Sequence, residues 1–247
     1  MRRATWIAIA LLLRASLSHA TGLDDLRAAL EKLRARDPVR ARITQENRGE
    51  FDDDGQKRTR QGRATIVAED GGSGQPLRLV YDDAVLTQAA REQAGRRDSR
   101  GPGDAVRDLD ALRVLDLLRS AENLLNDLAG ARVTSETADR AQGHAGRVLE
   151  LSLRAPQGID QEKGFRVGRT ARISIDADGA PISSEIRTHT EVRRLVFKVR
   201  FDTTERNAFA VAGHRLVTRR RETENRWKAS IFAKGSNHSV TTVEVLK

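Results

Sequence analysis

The chain has 247 residues and a formal net charge of +9, from 44 lysines and arginines against 35 aspartates and glutamates. It contains no cysteine, which excludes disulfide bonds, thiol catalysis and cysteine-ligated metal sites. Aromatic residues make up only 4% of the chain, so few rings are available for stacking on nucleic-acid bases, and we expect no nucleic-acid partner.

The first twenty residues have the three parts of a cleavable secretion signal. Arg2 and Arg3 give a positive start, Trp6 to Leu13 is an uninterrupted apolar run, and Ser18 to Ala20 supplies small residues for a signal peptidase. The run is shorter than the roughly 20 residues that a membrane-spanning helix needs. We therefore predict a signal peptide over residues 1–20 and a soluble mature chain of one domain over residues 21–247.

An exported chain without disulfides must be held together by packing alone, which suits a bacterial periplasm better than a eukaryotic secretory route. Loss of Arg2, Arg3 and Arg14 with the leader lowers the net charge from +9 by three, to +6. A basic surface can bind anionic lipid head groups, polyanions or acidic proteins. The same charges can also form a solvated face of mixed sign, because acidic residues are nearly as numerous.

The first half of the mature chain predicts one amphipathic helix followed by strands. Its leucines lie at helical spacing, with Asp37-Pro38 after them: Leu23, Leu26, Leu30 and Leu33. Apolar and polar residues then alternate in three segments that predict strands, and a further strand is predicted after them: Val39–Thr44, Ala64–Ala68, Leu77–Tyr81 and then Ala84–Ala89. Gly95 to Gly103 is a basic segment that predicts a solvated loop, or one that cradles an anion.

The second half predicts a leucine-rich helical region and then strands only. Asp104 to Ala129 is helical, with four leucines proposed for one face and Gly130 as the cap: Leu109, Leu112, Leu115 and Leu118. From Ala131 onward the chain alternates, with a hairpin turn at Asp176–Pro181. Leu195 to Phe201 is a strand with a strongly apolar face. The predicted fold class is α+β: a curved antiparallel sheet, an open half-barrel, with helices covering its concave face.

That order of elements resembles the outer-membrane lipoprotein carrier family of LolA/LolB-like half-barrels. Five segments carry the resemblance: Asp25–Leu33, Arg42–Gln45, Gln61–Val67, Pro76–Tyr81 and Asp178–Ile182. The chain departs from the family where the carriers have an arginine after the glycine-led strand, because Glu69-Asp70 stands there. It also has Ala64, Thr65 and Leu79 where the carriers have aromatic residues, and it continues beyond the expected end, from about His214.

The resemblance implies an apolar cavity that holds acyl chains under a lid of helices. We therefore predict a periplasmic lipid-binding or lipoprotein-transfer protein of outer-membrane biogenesis. Its partners would be lipid acyl chains or a lipidated protein, with transient contact to a membrane surface or to envelope proteins. The predicted cavity lining is Ile43, Ile66, Leu79, Tyr81, Leu112, Leu115, Leu151, Ile173, Ile186 and Phe197. The alternative is a protein-interaction or regulatory module on the same fold, with the interior filled by its own leucines.

We predict no enzymatic activity, no catalytic residues, no metal site and no cofactor. The sequence has neither a Gly-x-Ser-x-Gly turn nor a His-Glu-x-x-His helix. The spacing of the four histidines beyond the leader fits no metal template: His144, His189, His214 and His238.

Overall fold

The computed structural model describes residues 22–53, 56–72, 75–94, 102–139, 146–155, 164–194, 197–229 and 233–246. The predicted signal peptide at residues 1–20 and His144 lie outside these residues, as does most of the predicted basic loop, from 95 to 101. The helices of the described residues are each too short or too polar to cross a membrane.

The described residues form five helices: α1 Gly22–Lys32, α2 Asp83–Ala94, α3 Pro102–Arg107, α4 Ala111–Leu118 and α5 Ser120–Asp127. The first three strands are β1 Val39–Asp53, β2 Gln56–Asp70 and β3 Leu77–Tyr81. The other seven are β4 Arg132–Asp139, β5 Gly146–Leu153, β6 Phe165–Asp176, β7 Pro181–Arg194, β8 Phe197–Ala212, β9 Arg215–Ala229 and β10 Ala233–Leu246.

The ten strands in the described part of the chain form one sheet in the order β3-β2-β1-β10-β9-β8-β7-β6-β5-β4. Every neighbouring pair is antiparallel. The last strand of the chain pairs with the first, with Ile43 opposite Val243. The sheet is not closed into a barrel, because β3 and β4 lie at its two edges. The prediction of an open antiparallel sheet with helices is therefore confirmed at this level.

The helices lie on one face of the sheet, which we call the inner face, and the other is the outer face. Leu26 and Leu30 of α1 are fully buried in one hydrophobic cluster with Leu149 and Ile173 of the sheet. A second cluster joins α3, α4 and the segment between them to β1, β2 and β10, with these residues at its centre: Leu109, Leu118, Ile43, Ile66 and Val243. The leucine-rich helices thus cover the inner face, as the sequence predicted.

Two predicted turns depend on glycine. Gly130 follows α5 with φ +75°, and Gly179 lies in the Asp176–Pro181 hairpin with φ +84°. Side chains other than glycine rarely adopt this left-handed region. A Cβ at Gly179 would also lie 2.8 Å from the main-chain oxygen of Asp25, so the glycine lets α1 approach the hairpin closely.

The strand predicted at Ala84–Ala89 is wrong, because these residues belong to helix α2. The carboxylate of Asp82 accepts a hydrogen bond from the main-chain N–H of Ala84 at 2.7 Å, which satisfies a donor in the first turn. Val85 packs against the core while Leu86 is 41% exposed. The short apolar stretch at Ala84–Ala89 therefore belongs to a weakly amphipathic helix.

Candidate binding face of the sheet

Most of the residues predicted to line a cavity fill the interior of the molecule. Five of them are between 0% and 7% exposed and lie in the two hydrophobic clusters: Ile43, Ile66, Leu151, Ile173 and Ile186. Leu79 and Tyr81 are partly buried against the second cluster. The Tyr81 hydroxyl donates a hydrogen bond to the main-chain oxygen of Leu109 at 2.9 Å. These side chains belong to the same two clusters as the buried residues of the covering helices.

The remaining three predicted lining residues have different surroundings. Leu115 is half-buried, but Leu112 is 75% exposed and does not reach the interior. The helical region is interrupted, since α3 ends at Arg107 and Asp110 caps a new helix by accepting the N–H of Arg113 at 2.9 Å. Within α4, a step of three residues falls about 60° short of a full turn. Leu112 therefore lies about 120° around the helix from Leu118, away from the side that buries Val114, Leu117 and Leu118. The side chain of Phe197 lies outside the described residues.

A buried ion-pair cluster of Asp70, Arg119 and Arg215 fixes the helices to the sheet. Asp70 ends β2, Arg119 joins α4 to α5, and Arg215 begins β9. Arg119 donates from Nε and Nη2 to the two carboxylate oxygens of Asp70 at 3.1 and 3.0 Å, and Arg215 Nη1 donates to Oδ2 at 2.8 Å. The side chains of Asp70 and Arg215 are 0% and 2% exposed.

The electrostatics of this cluster keep Asp70 ionised. Burial by itself raises the pKa of Asp70, but the hydrogen bonds from Arg119 and Arg215 outweigh it and leave the pKa below its ordinary value. Nε and Nη2 of Arg215 are buried without a hydrogen-bond partner among the described residues. Two arginines around one carboxylate place a net positive charge beneath the helices, which is an unfavourable environment for an acyl chain.

A row of polar side chains, which we call the polar belt, borders the hydrophobic clusters on the inner face. Its members lie on strands β1, β7, β8, β9 and β10: Gln45, Asn47, Ser184, Glu205, Asn207, Arg221 and Thr241. Asn207 Nδ2 donates to Glu205 at 2.8 Å, and Arg221 Nε donates to Asn207 Oδ1 at 3.0 Å. At the other end, Gln45 Nε2 donates to Asn47 Oδ1 at 2.6 Å, and Thr241 hydrogen-bonds to Gln45.

The covering helices add two carboxylates beside the polar belt. Asp108, after α3, accepts a hydrogen bond from Asn47 Nδ2 at 2.7 Å. Asp116 of α4 accepts one from Asn123 Nδ2 at 3.1 Å, and burial raises the pKa of Asp116 despite this bond and the nearby charge of Arg221. The boundary of the core is therefore a hydrogen-bonded polar network.

Beyond the polar belt the side chains of the inner face are half-buried or exposed, and we call this region the open inner face. The strand register places two rows there. One row is Arg60, Gly49, Asn237, Asn225 and Thr203. The next row, two residues farther along each strand, is Arg58, Phe51, Gly235, Trp227 and Phe201.

Two of the aromatic rings on the open inner face, Phe51 and Trp227, each lie over a glycine. A Cβ at Gly49 would lie 2.7 Å from the ring of Phe51, and one at Gly235 would lie 2.6 Å from Nε1 of Trp227. The guanidinium of Arg60 lies 4.7 Å from the centre of the Phe51 ring, a cation–π contact. Phe201 is 44% exposed. A depression of about 260 Å³ lies beside Phe51 and Arg60, with Asn47, Asp108 and Asn237 in its wall.

The outer face has a different chemistry, a mosaic of paired charges. Glu191 lies 2.8 Å from Lys198 Nζ and accepts a hydrogen bond from Arg193 Nε at 2.6 Å, and these two partners lower its pKa to about 2. Arg206 and Arg187 likewise pair with Glu185. Because glutamates pair with these arginines, the outer face is a surface of mixed charge and not a uniformly basic patch.

Each of the three described histidines contacts one carboxylate: His189 with Asp202, His214 with Asp37 and His238 with Glu222. The hydrogen bonds from His214 lower the pKa of Asp37, and the bond from His238 lowers that of Glu222. Among the described residues, no three His, Asp or Glu side chains group together in a way that could hold a metal ion.

Sequence reasoning missed most of the residues that give the inner face its character. The sequence pattern places Phe201 on an apolar strand face but indicates no site for Phe51 or Trp227. Their common row is visible only in the strand register. Asp70 was noted as a departure from the carrier pattern, and its partner Arg215 lies 145 residues away in the chain.

The chain matches no protein-family model and no curated protein. Among solved structures, it is matched to MucB in complex with MucA(peri) at 10% identity, over 91% of this chain and 93% of that chain, with a TM-score of 0.18. A TM-score this low carries no argument about fold or about a shared partner. The resemblance to the lipoprotein carriers therefore stays a prediction from the sequence.

Proposed function

We propose that the chain is a non-enzymatic protein-interaction module that acts outside the cytoplasm and binds a partner protein on its open inner face. The observation that carries the proposal is the packing of the interior. Five of the residues predicted to line a lipid cavity are at most 7% exposed and lie in hydrophobic clusters that also contain residues of the covering helices: Ile43, Ile66, Leu151, Ile173 and Ile186. The proposal that the chain acts outside the cytoplasm depends on the signal peptide predicted over residues 1–20.

The free-energy balance disfavours acyl-chain binding in the interior. Burying ten CH₂ groups is worth about 8 kcal/mol, from which association takes about 4 kcal/mol or more. An acyl chain could enter only if helices moved off the sheet. Exposing a single buried leucine costs about 1.5 to 3 kcal/mol, and Leu117, Leu118 and Leu124 are all buried beneath α4 and α5. Lifting these helices would therefore offset the whole gain.

The open inner face suits a polypeptide better than a lipid. Asn225, Asn237 and Thr203 carry amides and a hydroxyl, which both donate and accept hydrogen bonds as a peptide backbone does. An acyl chain laid across them would remove water from these groups without replacing their hydrogen bonds, which costs free energy. Trp227 and Phe201 lie in the adjacent row, and tryptophan and phenylalanine are enriched at protein interfaces.

Site-specific photo-crosslinking in cells tests the proposal. A photoreactive amino acid is placed at Phe201, which is 44% exposed on the inner face, or at its neighbour Asp202, which lies on the outer face and pairs with His189. After ultraviolet irradiation, we expect position 201 to be crosslinked to one specific protein and position 202 to form little or no crosslink. A lipid adduct at position 201, or equal protein adducts at both positions, would contradict the proposal.

A further inference from the structure

We infer that the open inner face binds an extended peptide segment of about six residues, with a carboxylate at one end on Arg60 and an apolar side chain at the other end on Trp227 and Phe201. This inference rests on the proposed function and specifies the chemistry of the partner. The segment would run across the strands from β2 to β8.

Arg60 supplies the charge that selects a carboxylate. Its guanidinium lies over the ring of Phe51 at 4.7 Å, and no acidic side chain of the described residues forms an ion pair with it. Other arginines of this strand region are paired: Arg63, on the outer face of the same strand, lies 3.3 Å from Glu46. A guanidinium already held by a ring loses little further freedom when it binds a carboxylate, and its planar fork matches the two oxygens.

Trp227 and Phe201 supply the apolar end. The two side chains are directly opposite each other on β9 and β8, so their Cβ atoms are about 4.5 to 5.5 Å apart on one face. Trp227 lies over Gly235, which leaves no side chain of β10 between Trp227 and Phe51. The result is a shallow aromatic surface rather than a deep pocket, and it fits a leucine or a ring at the end of a chain.

The spacing between the two ends sets the length of the peptide. Arg60 and Phe201 are on strands β2 and β8, which are four strand intervals apart in the order β2-β1-β10-β9-β8. At about 4.8 Å per interval the distance across the sheet is about 19 Å, and extended chain at about 3.3 Å per residue covers it with about six residues. Asn237, Asn225 and Thr203 lie between the two ends in one row, within reach of the peptide backbone.

The test uses the full chain carrying Trp6→Phe, because the sequence has only two tryptophans and Trp227 then becomes the single reporter. The probe is a synthetic ten-residue peptide with two glutamates, then four serines, then two leucines, and a capping glycine at each end. A second peptide has lysines in place of the glutamates. Binding is followed by the emission of Trp227 as each peptide is titrated to millimolar concentration.

We expect the glutamate peptide to shift Trp227 emission with saturation and the lysine peptide to bind at least about tenfold more weakly, because like charges repel across an interface. Arg60→Glu should reverse this preference, whereas Arg63→Glu on the outer face should leave it unchanged. Arg60→Gln should bind both peptides alike.

The inference is overturned if the glutamate peptide produces no saturable change, or if Arg60→Glu and Arg63→Glu alter binding equally. Circular dichroism of each variant reports whether its fold is kept, so a failure to fold is not mistaken for a loss of binding. If photo-crosslinking at position 201 still captures a protein, only the peptide chemistry is wrong. If crosslinking yields lipid, the proposed function itself has failed.

Discussion

Asp70 accepts a hydrogen bond from Nη1 of Arg215 at 2.8 Å, and this pair joins the end of β2 to the start of β9 under the covering helices. Arg119 completes the cluster from the junction of α4 and α5. The same carboxylate therefore holds two parts of the sheet and one part of the helical cover. This arrangement explains why the interior is closed: the helices are anchored by charge as well as by apolar packing.

Asp70→Asn should be strongly destabilising, because it removes the charge and leaves two guanidinium groups without a counter-ion. Breaking a buried pair in this way costs about 3 to 5 kcal/mol. The measurement is the free energy of unfolding from urea denaturation at pH 7. Glu69→Gln is the matched control, since Glu69 forms only surface pairs with Arg40 and Arg78 and its loss should cost about 1 kcal/mol or less. Equal effects would contradict the anchoring role of Asp70.

The contribution of Asp70 should disappear in acid. Its pKa in the folded protein lies below the ordinary value of 3.8, so the stabilisation is complete above that value and is lost as the pH falls through the lower, folded pKa. We expect the difference in unfolding free energy between the wild type and Asp70→Asn to be constant from pH 7 to about 5 and to shrink below pH 4. The pKa of Glu191 is also lowered, to about 2, but Glu191 is present in both proteins, so its contribution cancels in the difference between their unfolding free energies. A difference that grew in acid would rule out this linkage.

Two leucines of helix α4 should respond differently to the same substitution. Leu118 is fully buried in the second hydrophobic cluster, and Leu118→Ala should cost about 2 to 5 kcal/mol. Leu112 is 75% exposed, and Leu112→Ala should change the stability by no more than about 0.5 kcal/mol. Thermal and urea unfolding of the two variants measure both effects. A large loss at Leu112 would mean that α4 turns another face to the sheet.

Asp116→Asn should be neutral or stabilising at pH 7. Burial raises the pKa of Asp116 above its ordinary value, so the ionised form destabilises the folded state at neutral pH and protonation in mild acid relieves that cost. Asparagine keeps an oxygen to accept the hydrogen bond from Asn123. Urea unfolding at pH 7 and pH 4 should show an advantage of the variant that is larger at pH 7. A clear loss of stability at pH 7 would show that Arg221 needs the charge.

The sequence predicted well those features that depend on alternation or on local turn chemistry. The strand at Leu77–Tyr81, the hairpin at Asp176–Pro181 and the cap at Gly130 follow from residues close together in the chain. The strand predicted at Ala84–Ala89 is wrong because a short apolar stretch fits a strand and a helix equally well. Leu112 is predicted to lie inside because a spacing of three residues resembles a helical stripe, but the direction drifts by about 60° at each step from Leu112 to Leu115 to Leu118.

The binding face could not be predicted because it depends on register between strands distant in sequence. Phe51 and Trp227 share a row only because β10 pairs with both β1 and β9. The closure of the interior likewise depends on Arg215. Nothing in the sequence distinguishes Arg215 from the other arginines of this basic chain, and only the structure shows that it is buried. Volume and burial are properties of the packed structure, and no local pattern encodes them.

Native mass spectrometry of the protein purified without detergent tests the central claim most directly, namely that the interior is filled by the chain's own side chains. We predict that the protein carries the mass of the bare polypeptide and that incubation with a fluorescent fatty acid adds no stoichiometric adduct. An adduct of one acyl lipid for each chain, retained under gentle ionisation and lost on denaturation, would contradict the account.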